Sequence, residues 1–333
     1  MTKLLSNNDI KGLLSPRLVF NTVERTWEEY ANGKVVNPAK LSLDLGESGV
    51  WPHIDGYMNA MPAYVDWLDV AGLKWAGGFW GNTKLPSIMA MILLIQPMTG
   101  YFKCVLEGSE ITAYRTAAQS AVGIKYLAKE DSETIGIFGA GLQARYHIML
   151  ISSQFPDMSF KVYDVKNDAS KKLKVDLSSQ VKSNIEIVEH PEQCVDSDVL
   201  ITVTTSKNPF FKADWIREGA LVLFLGSYQE AFPEVFSKAD RIIVDHIQQT
   251  IHRGALRDGL EHKIIKEEDI RDTIGEIISR AKPGRTNKKE KIIFIPIGTG
   301  MLDIAIAELA YRKALLQEVG SEFEFYESTQ NII

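Results

Sequence analysis

The stretch TIGIFGAGLQARYHIMLI, Thr134 to Ile151, decides the fold class. An apolar run of strand length is followed by a glycine turn and then by residues of good helix propensity, so it reads as buried strand, turn and helix. Gly139-Ala140-Gly141-Leu142-Gln143-Ala144 has the G-x-G-x-x-A form of a dinucleotide fingerprint. Gly139 permits the tight turn, Gly141 lets the backbone approach a pyrophosphate, and the small Ala144 allows close helix–strand packing. Phosphates then sit at a helix N-terminus, where free N–H groups and the helix dipole favour negative charge. A glycine pattern alone is weak evidence, and the strand before it and the helix after it supply the weight.

Further along, FKVYDV carries Asp164, near the ~20-residue separation at which an acid meets the adenine ribose hydroxyls. A carboxylate there attracts the free 2′-hydroxyl of NAD and repels the 2′-phosphate of NADP. Lys166 partly offsets that repulsion, so NAD is favoured and NADP stays possible. The apolar runs TIGIFG, FKVYDV, NIEIV, DVLITVT, ALVLFLG, DRIIVD and KIIFIPIG alternate with helical stretches. Strands apolar throughout and separated by helices predict a parallel sheet covered on both faces.

The first third reads differently. In SPRLVFNTVERTWEEYANG, Ser15 caps a helix, Pro16 takes its first position and Gly33 ends it, with Val19, Val23, Trp27 and Tyr30 as the buried stripe. From Val35 to about Leu106 short apolar runs broken by Gly, Pro and Asn predict a sheet. TAYRTAAQSAVGIKYLA predicts a helix with Ala117, Val122, Ile124 and Leu127 inward, and a last helix runs from about Leu302 to Gln317.

At 333 residues the chain is long enough for two domains. A net charge of −6 and a pI near 5.6 argue against a nucleic-acid partner. The one basic run, Lys288 to Lys291, follows Pro283 and Gly284 and reads as a solvated loop. Two cysteines, Cys104 and Cys194, make no paired framework, and the six histidines show no metal-ligand spacing. The longest apolar run, Ile88 to Ile95, falls far short of the ~20 residues a membrane span needs. With no signal-peptide pattern at the N-terminus, a cytoplasmic location is expected.

An enzyme that exchanges hydride with an amino or imino acid must hold a carboxylate beside the nicotinamide, and cationic side chains do this. Lys40, Lys74 and Arg115 stand out. Lys74 and Arg115 are flanked by apolar or small residues, where a lone charge is costly.

These residues carry a resemblance. ITAYRTAAQSAVGIKYLA followed by IGIFGAGLQARYHI resembles the ornithine cyclodeaminase/mu-crystallin family. VVNP, MNAMPAYV, GLKWAGGFWGN and KPGRTNKKEKIIFIPIGTGMLDIAIAELAYRKA fit the same family in the same order, over nearly the whole chain. The resemblance implies an α/β chain with a Rossmann dinucleotide-binding domain (114–303) and a second mixed α/β domain for dimerisation and substrate (1–113 with 304–333). It implies an active site between the two, NAD(H) or NADP(H), a small amino- or imino-acid substrate, and a homodimer. Members include ornithine and lysine cyclodeaminases, alanine dehydrogenase, ketimine and pyrroline-carboxylate reductases, and a dehydrogenase of siderophore-precursor synthesis. Carried over by position, Arg115 and Lys74 bind the substrate carboxylate and Thr116 touches the cofactor. Asn82 and Ser87 lie near the pocket, Ser87 on the cofactor side, and Asp303 stands at the start of the last helix.

Two departures matter. The family usually has Arg where this chain has Lys40. Cyclodeaminases place an acid after the strand matching ALVLFLG, where this chain has Tyr228, with Glu230 two residues late. The expectation is therefore an imine reductase or amino-acid dehydrogenase. Cyclodeamination of ornithine, with NAD recycled, is the alternative, and a dinucleotide-binding protein of weak turnover is a third reading. The aromatics Trp51, Trp75, Phe79, Trp80 and Tyr228 are candidates either for the pocket lining or for core.

Overall fold

The computed structural model describes residues 1–46, 54–226, 229–252 and 254–325. The chain divides into two compact units, Met1–Arg115 with Thr299–Ile333, and Thr116–Gly298. Arg115 and Asp303 fall in the first unit, where boundaries at 113 and 303 would have put both in the second. Among the described residues no helix is long and apolar enough to cross a membrane.

In chain order the first unit contributes β1 (Thr2–Leu5), α1 (Asn7–Ile10), α2 (Pro16–Ala31), β2 (Val35–Val36), β3 (Leu41–Asp44), β4 (Gly56–Val65), β5 (Val70–Phe79), β6 (Ile88–Ile95) and β7 (Phe102–Glu107). Helix α3 (Ser109–Leu127) contains the division between the units. The second unit follows with β8 (Thr134–Phe138), α4 (Leu142–Gln154), β9 (Ser159–Tyr163), α5 (Asn167–Leu177), β10 (Ile185–Ile187), α6 (Pro191–Val195), β11 (Val199–Thr202) and β12 (Leu221–Phe224). It closes with β13 (Arg241–Val244), α7 (Ile247–Thr250), α8 (Arg257–Glu261), β14 (Asp272–Thr273), α9 (Ile274–Ile278) and β15 (Ile292–Ile295). The chain then returns to the first unit with α10 (Gly300–Leu316) and β16 (Ser321–Phe323).

Helix α2 starts as its sequence dictates. The Ser15 hydroxyl accepts from the Leu18 N–H, Pro16 takes the first position, and Gly33 turns the chain away at φ +75°. Val19, Val23 and Trp27 are fully buried, whereas Tyr30 is only half-buried, so the buried stripe ends a turn earlier than expected.

The first sheet runs β16-β1-β7-β6-β5-β4-β2, with β3 pairing β4, and every pair is antiparallel except β1 with β7. One face packs on α10. Met61, Ala63, Val65, Val70, Lys74, Ile92, Leu94, Cys104 and Leu106 lie on that side and are buried. The contact is tight at Gly72, where a Cβ would fall 2.7 Å from the Ile304 side chain. Strand alternation sends Leu41, Leu43, Trp75, Met89 and Met91 to the opposite face, where they are exposed by 36% to 74%.

The second unit is a wholly parallel sheet of order β10-β9-β8-β11-β12-β15-β13-β14. Successive strands go outward from β8 to β10 and then resume on the other side at β11, so the topological switch point lies between β8 and β11. The core on one side of this sheet is aromatic: Phe138 stacks on Trp215 at 5.7 Å, and Phe211 meets Phe224 edge-on at 5.3 Å. Helices α3 and α4 are joined by a buried polar contact, Ser120 Oγ to His147 Nε2 at 2.8 Å. Because His147 Nδ1 bonds the Gln143 carbonyl at 2.7 Å, Nδ1 carries the proton and Nε2 accepts from Ser120. Burial pushes the imidazole pKa down to about 4, so the ring is neutral at ordinary pH.

Candidate active site

The glycine turn joins β8 to α4. Gly139 adopts φ +102°, and a Cβ there would fall 2.8 Å from the Val203 carbonyl oxygen, so both conformation and space call for glycine. Gly141 is the N-cap of α4, has no side-chain cap, and would place a Cβ in open space with no atom within 4 Å. The 13-residue helix therefore starts with uncapped N–H groups beside open space, a setting that fits a pyrophosphate. Leu142 is 59% exposed at the helix start, the Ala144 methyl is fully buried, and Gln143 Oε1 is buried without a hydrogen-bond partner among the described residues. Ala140 enters through its backbone: its N–H donates to Asp164 Oδ2 at 2.8 Å.

Asp164, just past the end of β9, thus ties the glycine turn to its neighbouring strand, and its Oδ1 accepts from the Lys166 N–H at 2.8 Å. Sequence spacing offered only the ribose-binding role. The turn-holding role depends on β8 and β9 lying side by side, which spacing does not state.

The two cations singled out for the carboxylate come together in the first unit on one acid. Lys74 Nζ donates to Asp303 Oδ1 at 2.8 Å, and Arg115 Nε reaches the same oxygen at 3.3 Å. Lys74, Arg115 and Asp303 are 1%, 8% and 0% exposed, so the cluster is almost dry. Asp303 Oδ2 is buried with no hydrogen-bond partner among the described residues. Two cations thus converge on one carboxylate oxygen in a low-dielectric place, and Glu107 also acts on Lys74 through space. Burial is the main force on Lys74 and, with Arg115 adding to it against the pull of Asp303, lowers its pKa to about 8.

The helix that carries Asp303 is held at its N-terminus. Asn37 Oδ1 accepts from the Met301 N–H at 2.9 Å, and Gly300 lies so close to β4 that a Cβ would fall 2.7 Å from the Met61 carbonyl oxygen. Asn37 sits in the VVNP segment, where the sequence reading used the motif and missed the residue's task as a cap for a helix at the far end of the chain.

The remaining candidates are more dispersed. Lys40 is half-buried just before β3, and Thr116 is buried in α3 at the first position of the second unit. Asn82 donates to the Pro86 carbonyl at 2.9 Å, and the Ser87 carbonyl accepts from the Phe79 N–H at 2.7 Å, so both brace the β5–β6 turn. Trp75, open between pocket lining and core, follows Lys74 on β5, faces the opposite side and is 44% exposed, so it is neither on the Lys74 face nor in the core. Tyr228 and Trp51 lie outside the described residues. Glu230, the acid weighed for ring closure, is buried and accepts from Thr202, Thr204 and Gly226 within its own unit, while burial raises its pKa.

Comparison with known proteins agrees with this geometry. The model of the ornithine cyclodeaminase/mu-crystallin family matches residues 1–318. The chain belongs to that family. It is 32% identical to the alanine dehydrogenase of Archaeoglobus fulgidus over 332 residues, covering 98% of this chain and 99% of that one. Among solved structures it is similar to Thermococcus litoralis Δ1-pyrroline-2-carboxylate reductase in complex with NADH and L-proline, with TM-score 0.90 and 32% identity over 97% of this chain and 100% of that one. It is equally similar to an archaeal alanine dehydrogenase dimer with bound NAD, with TM-score 0.90 and 32% identity over 98% and 99% of the two chains.

Proposed function

We propose that this member of the ornithine cyclodeaminase/mu-crystallin family is an NAD-dependent oxidoreductase that exchanges a hydride with the α carbon of a small amino or imino acid. It works as an imine reductase or amino-acid dehydrogenase. The observation that carries the reading is the buried Lys74–Asp303–Arg115 cluster, in which two cations share one carboxylate oxygen. Bound nicotinamide supplies or receives the hydride.

Arg115 and Lys74 bind the substrate carboxylate, and Lys40 adds a third cation on the substrate side. Asp303 keeps Lys74 in place through Oδ1 and accepts from the substrate nitrogen through Oδ2, so the imine stays protonated and electrophilic. With a pKa of about 8, Lys74 is near enough to neutrality to give and take a proton. Asn82 and Tyr228 complete the substrate set. The cofactor is held by the Gly139–Ala144 turn, with Thr116, Asp164 and Ser87 contributing. The Asp164 carboxylate favours NAD, and NADP remains the second choice.

Ring closure of a diamine needs a carboxylate available to the distal amine. Glu230 is engaged by internal donors and so does not favour cyclodeamination. Leu41, Leu43, Trp75, Met89 and Met91 share an exposed apolar face of the first sheet, and a second copy of this chain is its occupant. A cytoplasmic location completes the reading, in keeping with two free, buried thiols.

The test is NADH absorbance during incubation with 2-oxo acids plus ammonium, with cyclic imino acids, and with amino acids plus NAD. Net oxidation or formation of NADH is expected. Proline and ammonia from ornithine, with no net change in NADH, would overturn the reading.

A further inference from the structure

We propose that Glu230 is a positioning residue for the dinucleotide: its carboxylate fastens the exit loops of β11 and β12 and thereby holds Thr204 against the glycine turn. This rests on the reading that the dinucleotide occupies that turn.

The carboxylate is saturated by donors from two separate loops. Oε1 accepts from the Thr204 N–H at 2.9 Å and the Thr204 hydroxyl at 2.6 Å. Oε2 accepts from the Thr202 hydroxyl at 2.6 Å and the Gly226 N–H at 3.1 Å. Thr202 ends β11, Thr204 lies two residues beyond it, and Gly226 lies two residues beyond β12. The acid is itself held by its main chain, since the Phe210 and Phe211 N–H groups both donate to the Glu230 carbonyl at 2.9 Å. A Cβ on Gly226 would fall 2.3 Å from Oε2, so a larger residue there would displace the carboxylate from this arrangement.

The connection to the cofactor is steric. A Cβ on Gly139 would lie 2.8 Å from the Val203 carbonyl oxygen and 3.4 Å from Thr204 Cγ2, so the segment that Glu230 grips is in contact with the fingerprint glycine. Both gripped loops leave the carboxyl ends of strands at and beside the switch point, where open α/β sheets bind their ligands. Burying a carboxylate at 1% exposure is costly, and four donors offset that cost only while both loops keep this arrangement. The acid is therefore a fixed distance gauge between β11 and β12 at the mouth of the dinucleotide site.

The experiment is fluorescence titration of NADH into the wild-type protein and into Glu230→Gln and Thr204→Val, with unfolding followed in parallel. Glutamine keeps the shape and can satisfy the threonine hydroxyls, which also accept, but its NH2 must face either the Gly226 or the Thr204 N–H. The expected result is NADH affinity weakened about tenfold or more in Glu230→Gln, as the loss of a bond to a buried charge implies, and a smaller loss in Thr204→Val. The KM for NADH should rise much more than kcat at saturating NADH falls. If Glu230→Gln does not fold, Thr204→Val leaves the acid in place and carries the test. Wild-type affinity in the folded variants overturns the proposal alone, while failure of the wild-type protein to bind NADH overturns the functional reading and this proposal with it.

Discussion

Lys74 and Asp303 are separated by 229 residues in the chain and meet at 2.8 Å in a pair that is almost wholly excluded from water. Residue order gives no hint of that distance. The pair exists because β5 forms the floor of the first sheet and the last long helix lies across it with its first turn above Lys74.

The pKa of about 8 at Lys74 sets a pH dependence. In the reductive direction the ammonium form is the competent one, so kcat/KM for imine reduction should fall as pH rises through about 8. In the oxidative direction the neutral amine is needed, and the rate should climb over the same interval. Paired pH profiles check this, and parallel profiles in the two directions would count against Lys74 as the proton carrier.

Asp303→Asn should remove the group that favours the charged form of Lys74. The descending limb of the reductive profile then moves to lower pH. Removing one partner of the buried Lys74–Asp303 pair should also cost roughly 3–5 kcal/mol of stability. Chemical denaturation and a pH–rate profile on the same preparation read both effects.

The two fingerprint glycines should fail differently. Gly141→Ala meets open space, so it should leave thermal stability near the wild-type value while weakening NADH binding. Gly139→Ala must adopt φ +102° and press on the Val203 carbonyl, and should lose at least about 1–2 kcal/mol of stability. A melting curve and an NADH titration for each variant separate the two cases.

His147 should make the second unit sensitive to acid. Its folded pKa of about 4 lies below the unfolded value of 6.5, so the unfolded chain binds the proton first. The stability tied to its neutral ring is complete above pH 6.5 and drains away as pH falls toward 4, by about 3 kcal/mol in all. His147→Gln has no such titration, and its stability should depend less steeply on pH across that window.

Trp75→Glu and Met91→Glu each put a charge on the apolar face away from Lys74, on residues paired across β5 and β6. Either should convert a dimer to monomer in light scattering without loss of fold. A scattering mass unchanged in both would remove this face as the contact between copies.

Much of the second unit was legible in advance because each parallel strand is a continuous apolar run and the glycine turn has a local signature. The first unit was less so. β1 is four residues long, too short for any periodicity, and it acquires its place only by lying against β7. Lys74 and Arg115 could be picked out as charges in apolar surroundings, but their shared carboxylate oxygen could not. Trp75 was open between pocket lining and core, and its exposed place on the face away from Lys74 follows from the alternation that sends neighbours on a strand to opposite faces. Glu230 was weighed for a substrate amine because it lies two residues past Tyr228, and its internal engagement was hidden because its donors, Thr202, Thr204 and Gly226, are scattered along the chain.

The return of α10 to the first sheet has a consequence for synthesis on the ribosome. Every strand from β1 to β7 is translated long before the helix that covers their buried face, whereas the parallel sheet between them is complete by residue 298. The nascent chain therefore carries an uncapped apolar sheet through the making of some 190 residues, from the end of β7 at Glu107 to the start of α10 at Gly300. Lys74 gains its carboxylate partner only after that delay, so a stalled or clipped product can possess a finished parallel sheet and no Lys74–Asp303 pair.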